Sequence, residues 1–221
     1  MIIVPGIAVT AQIYESANYL IYRGLREQDS LPVILKVLKS DYLDTSELLR
    51  YQHEYEILHN LDLEGVIKVY GLETYERRLV LISEDFGGNS LAQLIAESSQ
   101  VQGMVMPIEK ILKIIIQITE ILSRIHSHNI IHKDINPSNI IFNTKTEQVK
   151  IIDFGISSVI TNESFISEEA NVLEGTLAYI SPEQTGRMNR HLDYRTDFYS
   201  RVATFYELLT GQLPFQTTGF L

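Results

Sequence analysis

His132-Lys133-Asp134-Ile135-Asn136-Pro137-Ser138-Asn139 is the stretch from which the rest of the chain can be read. Nineteen positions after Asp134 comes Asp153-Phe154-Gly155, and then Gly175-Thr176-Leu177-Ala178-Tyr179-Ile180-Ser181-Pro182-Glu183. Each of these is weak alone. Their order and spacing, with Lys36 in an upstream strand and Glu54 in the next helix, form a pattern that chance does not supply.

Upstream, Val33 to Leu38 is a compact apolar run bounded by Ser30-Leu31-Pro32 and Ser40-Asp41, which predicts a strand. Val66 to Tyr70 and Arg78 to Glu84 read as two more strands around a turn at Gly71. Between them, Ser46 to Leu61 has helical spacing with Ser46 as its N-cap. Downstream, Gly87-Gly88-Asn89-Ser90 signals a turn and a hinge. Ile108, Ile111, Leu112, Ile115, Ile118, Ile121, Leu122 and Ile125 then predict an amphipathic helix started by Pro107. Asp197 to Leu209 predicts a second buried helix, closed by Thr210-Gly211. The order is strand-rich and then helix-rich, an α+β arrangement, with no internal repeats.

Composition narrows the function. The chain has 221 residues, with 18 basic and 28 acidic side chains and a net charge of −10. This acidity disfavours nucleic acid or an anionic membrane as partner. Cysteine is absent, which excludes a disulfide scaffold, a Cys-ligated zinc site and thiol catalysis. The opening Met1 to Gly6 lacks a basic flank and breaks at Pro5-Gly6, unlike a signal peptide. Ile108 to Ile125 carries five charged residues, too many for a membrane span. A cytoplasmic protein is expected.

With these residues together, the chain resembles the eukaryotic-type serine/threonine protein kinases. The resemblance implies a bilobal fold, with a strand-rich N-lobe over 1–86 and a helical C-lobe over 87–221. It implies ATP and magnesium as cofactors and a protein hydroxyl as substrate. Asp134 would accept the hydroxyl proton, Asp153 and Asn139 would hold magnesium, and Lys36, held by Glu54, would contact the inner phosphates. Ile21, Ile34, Ser83, Glu84, Phe86 and Ile141 would line the nucleotide site beside Lys36 and Asp153. His132, Phe154 and Leu58 would pack as an internal column, so His132 is read as core rather than as a base. His53, His59, His126, His128 and His191 are read as surface or capping residues. Gly175 to Arg190 and Tyr194 to Phe215 are similar to a subgroup in which the kinase domain opens a longer multi-domain signalling protein. Further signalling domains are then expected as partners.

The chain departs from the family pattern in several places. The three glycines of the phosphate loop fall on Tyr14, Ser16 and Tyr19, whose side chains should weaken or reshape the cradle. Ile34 stands where alanine is usual and crowds the adenine pocket, while Ser83 at its back is small. Lys133 replaces the usual arginine, a point charge for a bidentate fork. Asn136 replaces the lysine two after the catalytic aspartate. Residues 154–182 contain no lysine or arginine, so activation by a phosphate docked beside the catalytic loop is not expected. Ser157, Ser158, Thr161, Ser164 and Ser167 stay open as modification sites. Arg201-Val202 occupies a tightly packed Leu-Gly position, where a buried arginine needs a partner. Against the family pattern the C-lobe lacks its last helices.

Three functions follow. A protein kinase is favoured by Lys36, Glu54, Asp134, Asn139 and Asp153, with Thr176 supporting serine and threonine substrates. A truncated pseudokinase, binding nucleotide or protein without catalysis, is favoured by the missing glycines. A small-molecule phosphotransferase shares the His-x-Asp-x-x-x-x-Asn pattern, but Gly155 and Gly175 to Glu183 argue against it.

Overall fold

The computed structural model of the chain describes residues 2–39, 45–100, 106–160, 174–186 and 192–215, with the backbone alone at 45–46 and 99–100. It divides into two compact units, one of residues 1–62 and 67–87, the other of 63–66 and 88–221.

The first unit is built on β1 (Ile7–Glu15), β2 (Tyr19–Arg26), β3 (Leu31–Leu38), α1 (Thr45–Asn60), β4 (Val69–Tyr75) and β5 (Arg78–Glu84). The strands form one antiparallel sheet in the order β1-β2-β3-β5-β4. β3 is central, and Val33, Leu35 and Val37 are wholly buried with Tyr22, Val80 and Ile82 in an apolar cluster. Because side chains alternate, Ile34 and Lys36 point to the other face. Register places Ile21 opposite Lys36 and Ser83 opposite Ile34, so these four share that face.

Two expectations are corrected here. Gly71 is not a turn: it lies within β4 at a register shift, and the turn falls at Glu76-Arg77, both at positive φ. Ser46 is the second residue of α1 rather than its cap.

The second unit starts from the strap Leu63–Val66, where Val66 bridges Ile151 in parallel and the Ile151 N–H donates to Gly65 O (2.8 Å). Gly65 has φ +89°, and a Cβ there would lie 2.3 Å from Ile121. The strap therefore needs glycine at this point. α2 (Leu91–Gln100) and α3 (Ile108–Ser127) follow β6 (Asn89–Ser90). Ser90 and Gln93 form a reciprocal cap at the start of α2, Oγ accepting from Gln93 N–H and Oε1 from Ser90 N–H.

α3 buries Ile111, Ile114, Ile118, Ile121, Leu122 and Ile125. The expected face was wider: Ile108 and Leu112 are exposed, and Ile114 replaces Ile115 in the core. With isoleucine at 114, 115 and 116, periodicity alone leaves the face free to rotate by a residue, and packing decides. Beyond β7 (Ile130–Ile131), a 3-10 turn at Pro137–Asn139, β8 (Ile140–Asn143), β9 (Gln148–Ile151) and β10 (Ser158–Val159), the chain reaches α4 (Arg195–Thr210). α4 ends at Gly211 in the left-handed region. Among the described residues no helix is long and apolar enough to cross a membrane.

Candidate functional site

In the second unit the catalytic-loop sequence is held by a wholly buried carboxylate far away in the chain. Asp197 on α4 accepts the His132 N–H (2.9 Å), the Lys133 N–H (2.8 Å) and His126 Nε2 (2.8 Å). Lys133 sits at φ +67°, an uncommon region for a side chain-bearing residue. It is fixed from both ends, since its carbonyl also accepts from Gln184 Nε2 (2.8 Å). His126, read from sequence as a surface or capping residue, is thus a half-buried partner of Asp197.

His132 has both ring nitrogens committed. Nδ1 accepts from the Asp134 N–H (3.3 Å), so Nε2 carries the proton and donates to Ile152 O (3.1 Å). Its ring meets Phe154 edge-on at 4.6 Å, as the column reading expects. Leu58 is buried, in the first unit.

Asp134 is oriented through each oxygen. Oδ1 accepts from the Thr176 N–H (2.9 Å) and Oδ2 from Asn139 Nδ2 (2.9 Å). A carboxylate has about four acceptor sites, so lone pairs remain for an incoming hydroxyl. Asn136, in place of a lysine, braces the same loop. Its Nδ2 donates to Asp134 O (3.1 Å) and Thr176 Oγ1 (3.1 Å), and its Oδ1 caps the 3-10 turn through Ser138 N–H (2.8 Å). Thr176 follows Gly175, whose φ is +106° and where a Cβ would lie 3.3 Å from Lys133 O. That close approach brings the 175–186 segment onto the loop.

The Asn139 amide nitrogen also donates to Asp134 O (2.9 Å), which turns its carbonyl oxygen away from Asp134. Asp153, at φ +66°, accepts the Gly155 N–H (3.4 Å). The hard oxygens of Asn139 and Asp153 are of the type magnesium takes. Among the described residues no group of three His, Asp or Glu could hold a metal. Two protein oxygens supplemented by phosphate oxygens is the arrangement that suits such a donor set.

In the first unit, Lys36 Nζ lies 2.8 Å from Glu54 Oε2, and Glu54 is 4% exposed. The ammonium also lies over the rings of Tyr19 (5.3 Å) and Tyr51 (5.2 Å). Ile21, Ile34 and Ser83 share its face; Glu84 does not. The Glu84 carboxylate accepts the Lys68 N–H (2.8 Å), so only its main chain could serve a nucleotide on the Ile34 face. Phe86 is half-buried in this unit and Ile141, half-buried on β8, belongs to the other.

The β1–β2 turn occupies the place of the phosphate loop, and its N–H groups are largely used internally. Ser16 N–H donates to Tyr19 O (2.9 Å), while Ser16 Oγ accepts from Asn18 N–H (3.2 Å) and Tyr19 N–H (3.0 Å). Lys39 Nζ ties Glu15 and Ser16 O from outside, both at 2.6 Å, and holds the Glu15 carboxyl below its ordinary pKa. This arrangement does not match an open backbone cradle.

Arg201 finds partners within its own unit. Nη1 donates to Thr119 Oγ1 (3.0 Å) and the guanidinium lies 5.0 Å from Phe198 and 5.5 Å from Phe205. Burial lowers its pKa. Ser157 is buried and donates to Phe154 O (2.6 Å), which removes it from the exposed modification candidates. Thr161, Ser164, Ser167 and His191 lie outside the described residues. Sequence reasoning missed Asp197 and His126 as supports, although the spacing of Asp197 at the head of a buried helix was visible.

The chain matches the protein kinase domain family over residues 17–219. It is 32% identical over 208 residues to the serine/threonine-protein kinase PknL of Mycobacterium tuberculosis, covering 94% of this chain and 50% of PknL. A probable serine/threonine-protein kinase of Clostridium perfringens is 31% identical over 202 residues, covering 91% of this chain and 28% of that protein. PknB of Mycobacterium leprae is 31% identical over 188 residues, with 83% and 29% covered. The chain thus spans half or less of the length of these curated relatives. With an Asp134, Asn139 and Asp153 loop braced by Asp197, and a Lys36–Glu54 pair on a five-stranded sheet, the chain belongs to the eukaryotic-type serine/threonine protein kinase family.

Proposed function

We propose that this chain carries out magnesium-ATP-dependent phosphoryl transfer to serine or threonine hydroxyls of a protein substrate in signal transduction. The observation that carries this reading is the doubly anchored Asp134 carboxylate, with Thr176 N–H on one oxygen and Asn139 on the other. So held, Asp134 can accept the hydroxyl proton and aim the oxygen for attack without reorganising. Lys36, kept in place by Glu54, takes the nucleotide phosphates, and Ile21, Ile34, Ser83 and Phe86 of the same unit border the base. Asp153 and Asn139 hold magnesium, which when bound neutralises charge on the phosphates. Asn136 supplies position instead of a cation, so the transferring phosphate is stabilised less than a lysine would allow. The lengths of the relatives support further signalling domains as partners, and a cytoplasmic site of action, where ATP is held, goes with this reading.

A second reading, a nucleotide- or protein-binding module without catalysis, is favoured by the self-satisfied β1–β2 turn. One assay separates the two. The chain is incubated with labelled ATP, magnesium and a generic protein acceptor, beside Asp134→Asn and Lys36→Met. Transfer that falls at least about a hundredfold in Asp134→Asn supports the kinase. Nucleotide binding without transfer, equal in the chain and in Asp134→Asn, supports the module.

A further inference from the structure

The residue standing at the third glycine position does more than fill space. Tyr19 lies on the same sheet face as Ile21, Ile34 and Lys36, diagonal to Lys36 across the β2–β3 pair. Its ring is 5.3 Å from Lys36 Nζ, the Tyr51 ring is 5.2 Å away, and Glu54 Oε2 is at 2.8 Å. The ammonium therefore meets two aromatic faces and a carboxylate.

The position of the Tyr19 ring is built in. Its N–H and carbonyl are both bound to Ser16, the ring packs against Tyr14 at 6.0 Å, and Lys39 staples the turn through Glu15 and Ser16 O. Two register shifts in β1, between Val9 and Ala11 and between Gln12 and Tyr14, precede this turn. Such irregularities raise local twist and re-aim side chains.

We propose that Tyr19 caps the Lys36 ammonium and sets the affinity for nucleotide phosphate. This rests on the reading of Lys36 as the phosphate contact. A cation already met by two π faces and a carboxylate gains less from a phosphate, which must displace or share the Tyr19 ring. Glycine at this position would leave the cation open on that side. Tyr19 is in this sense an affinity-determining residue, and the missing glycine is replaced by a competitor rather than by a bystander.

The test is calorimetric titration of the full chain with magnesium-ADP, using Tyr19→Gly, Tyr19→Leu, Tyr19→Phe and Lys36→Met. A second measurement follows acetylation of Lys36 by a water-soluble activated ester, mapped by mass spectrometry, without nucleotide. Tyr19→Gly is expected to bind magnesium-ADP about threefold to thirtyfold more tightly, the range a cation–π contact spans from exposed to desolvated sites. It is also expected to acetylate faster at Lys36. Tyr19→Phe keeps the ring and the cap, while Tyr19→Leu, with bulk but no π face, falls between. Equal or weaker binding by Tyr19→Gly, with binding still abolished in Lys36→Met, overturns the cap and leaves the phosphate reading standing. No binding by any variant overturns the phosphate reading. In that case faster Lys36 acetylation in Tyr19→Gly supports the cap, and an unchanged rate overturns it.

Discussion

The catalytic loop of the second unit and the β1–β2 turn of the first solve opposite problems. Around Asp134, polar groups are held by partners distant in sequence: Asp197 for His132 and Lys133, Thr176 for Asp134, Gln184 for Lys133. The β1–β2 turn is held mainly from within, by Ser16, with one longer reach from Lys39 just past β3. Long-range bracing fixes a geometry but makes it fail as a whole when one brace is lost. Local bracing tolerates substitution, which fits a turn that keeps its hairpin with tyrosine, serine and tyrosine at the three glycine positions.

The comparison breaks most visibly at Asp197. Asp197→Ala would leave the His132 and Lys133 N–H groups and His126 without their acceptor in a buried setting. At about 1–3 kcal/mol for each of the three orphaned groups, a loss of roughly 3–9 kcal/mol is expected. Urea unfolding of the chain and the variant measures it through the shift in midpoint. A loss under about 1 kcal/mol would show that water replaces the carboxylate and that the brace is not structural.

A smaller effect is expected in the first unit. Glu54→Gln keeps the shape of α1 but removes the countercharge of Lys36. The aromatic faces of Tyr19 and Tyr51 still meet the ammonium, so the cost should be about 1–3 kcal/mol, below that of Asp197→Ala. The same unfolding experiment ranks the two. If Glu54→Gln costs more than Asp197→Ala, the aromatic box contributes little and the ion pair carries the site.

What sequence could supply follows the same division. The candidate site residues of the second unit stand in short contiguous motifs, and the structure joins Asp134, Asn139 and Thr176 by direct hydrogen bonds. Facing in the central strand is equally accessible once Val33 to Leu38 reads as a strand, since alternation alone puts Ile34 and Lys36 on one face, whereas the register that sets Ile21 and Ser83 beside them needs the structure. The supports were harder. Asp197 and His126 are 71 residues apart, and neither carries a local signal that it will bond to the other. The turn at Glu76-Arg77 escaped because both residues adopt positive φ without being glycine, whereas Gly71, the obvious turn residue, sits in a strand at a register shift. The cap of α2 hides in plain sequence: Ser90 and Gln93 are spaced as a capping box, while Ser90 also closes the Gly87-Gly88-Asn89-Ser90 turn signal.

The smallest effect sharpens how far long-range bracing extends, to Tyr179 in the segment after Gly175. Tyr179 hydrogen-bonds Glu207 on α4, and its pKa is raised above 10.0, first by burial and then by that carboxylate. A raised tyrosine pKa means that the unfolded chain loses this proton first. The stabilisation is therefore fully present below about pH 10 and is lost as pH rises from there toward the folded value. Tyr179→Phe lacks the hydroxyl and should be the less stable protein at neutral pH, by about 1 kcal/mol, the net worth of an ordinary hydrogen bond, because Tyr179 and Glu207 are only half-buried and solvent screens the charge. Other tyrosines and lysines titrate in both proteins and cancel in the difference. Denaturant midpoints measured from about pH 8 to about pH 11 should thus converge between the two as the tyrosine's advantage is titrated away. A difference that stays constant across that range would mean Tyr179 ionises as readily folded as unfolded, and that the contact with Glu207 does not hold the 175–186 segment to α4.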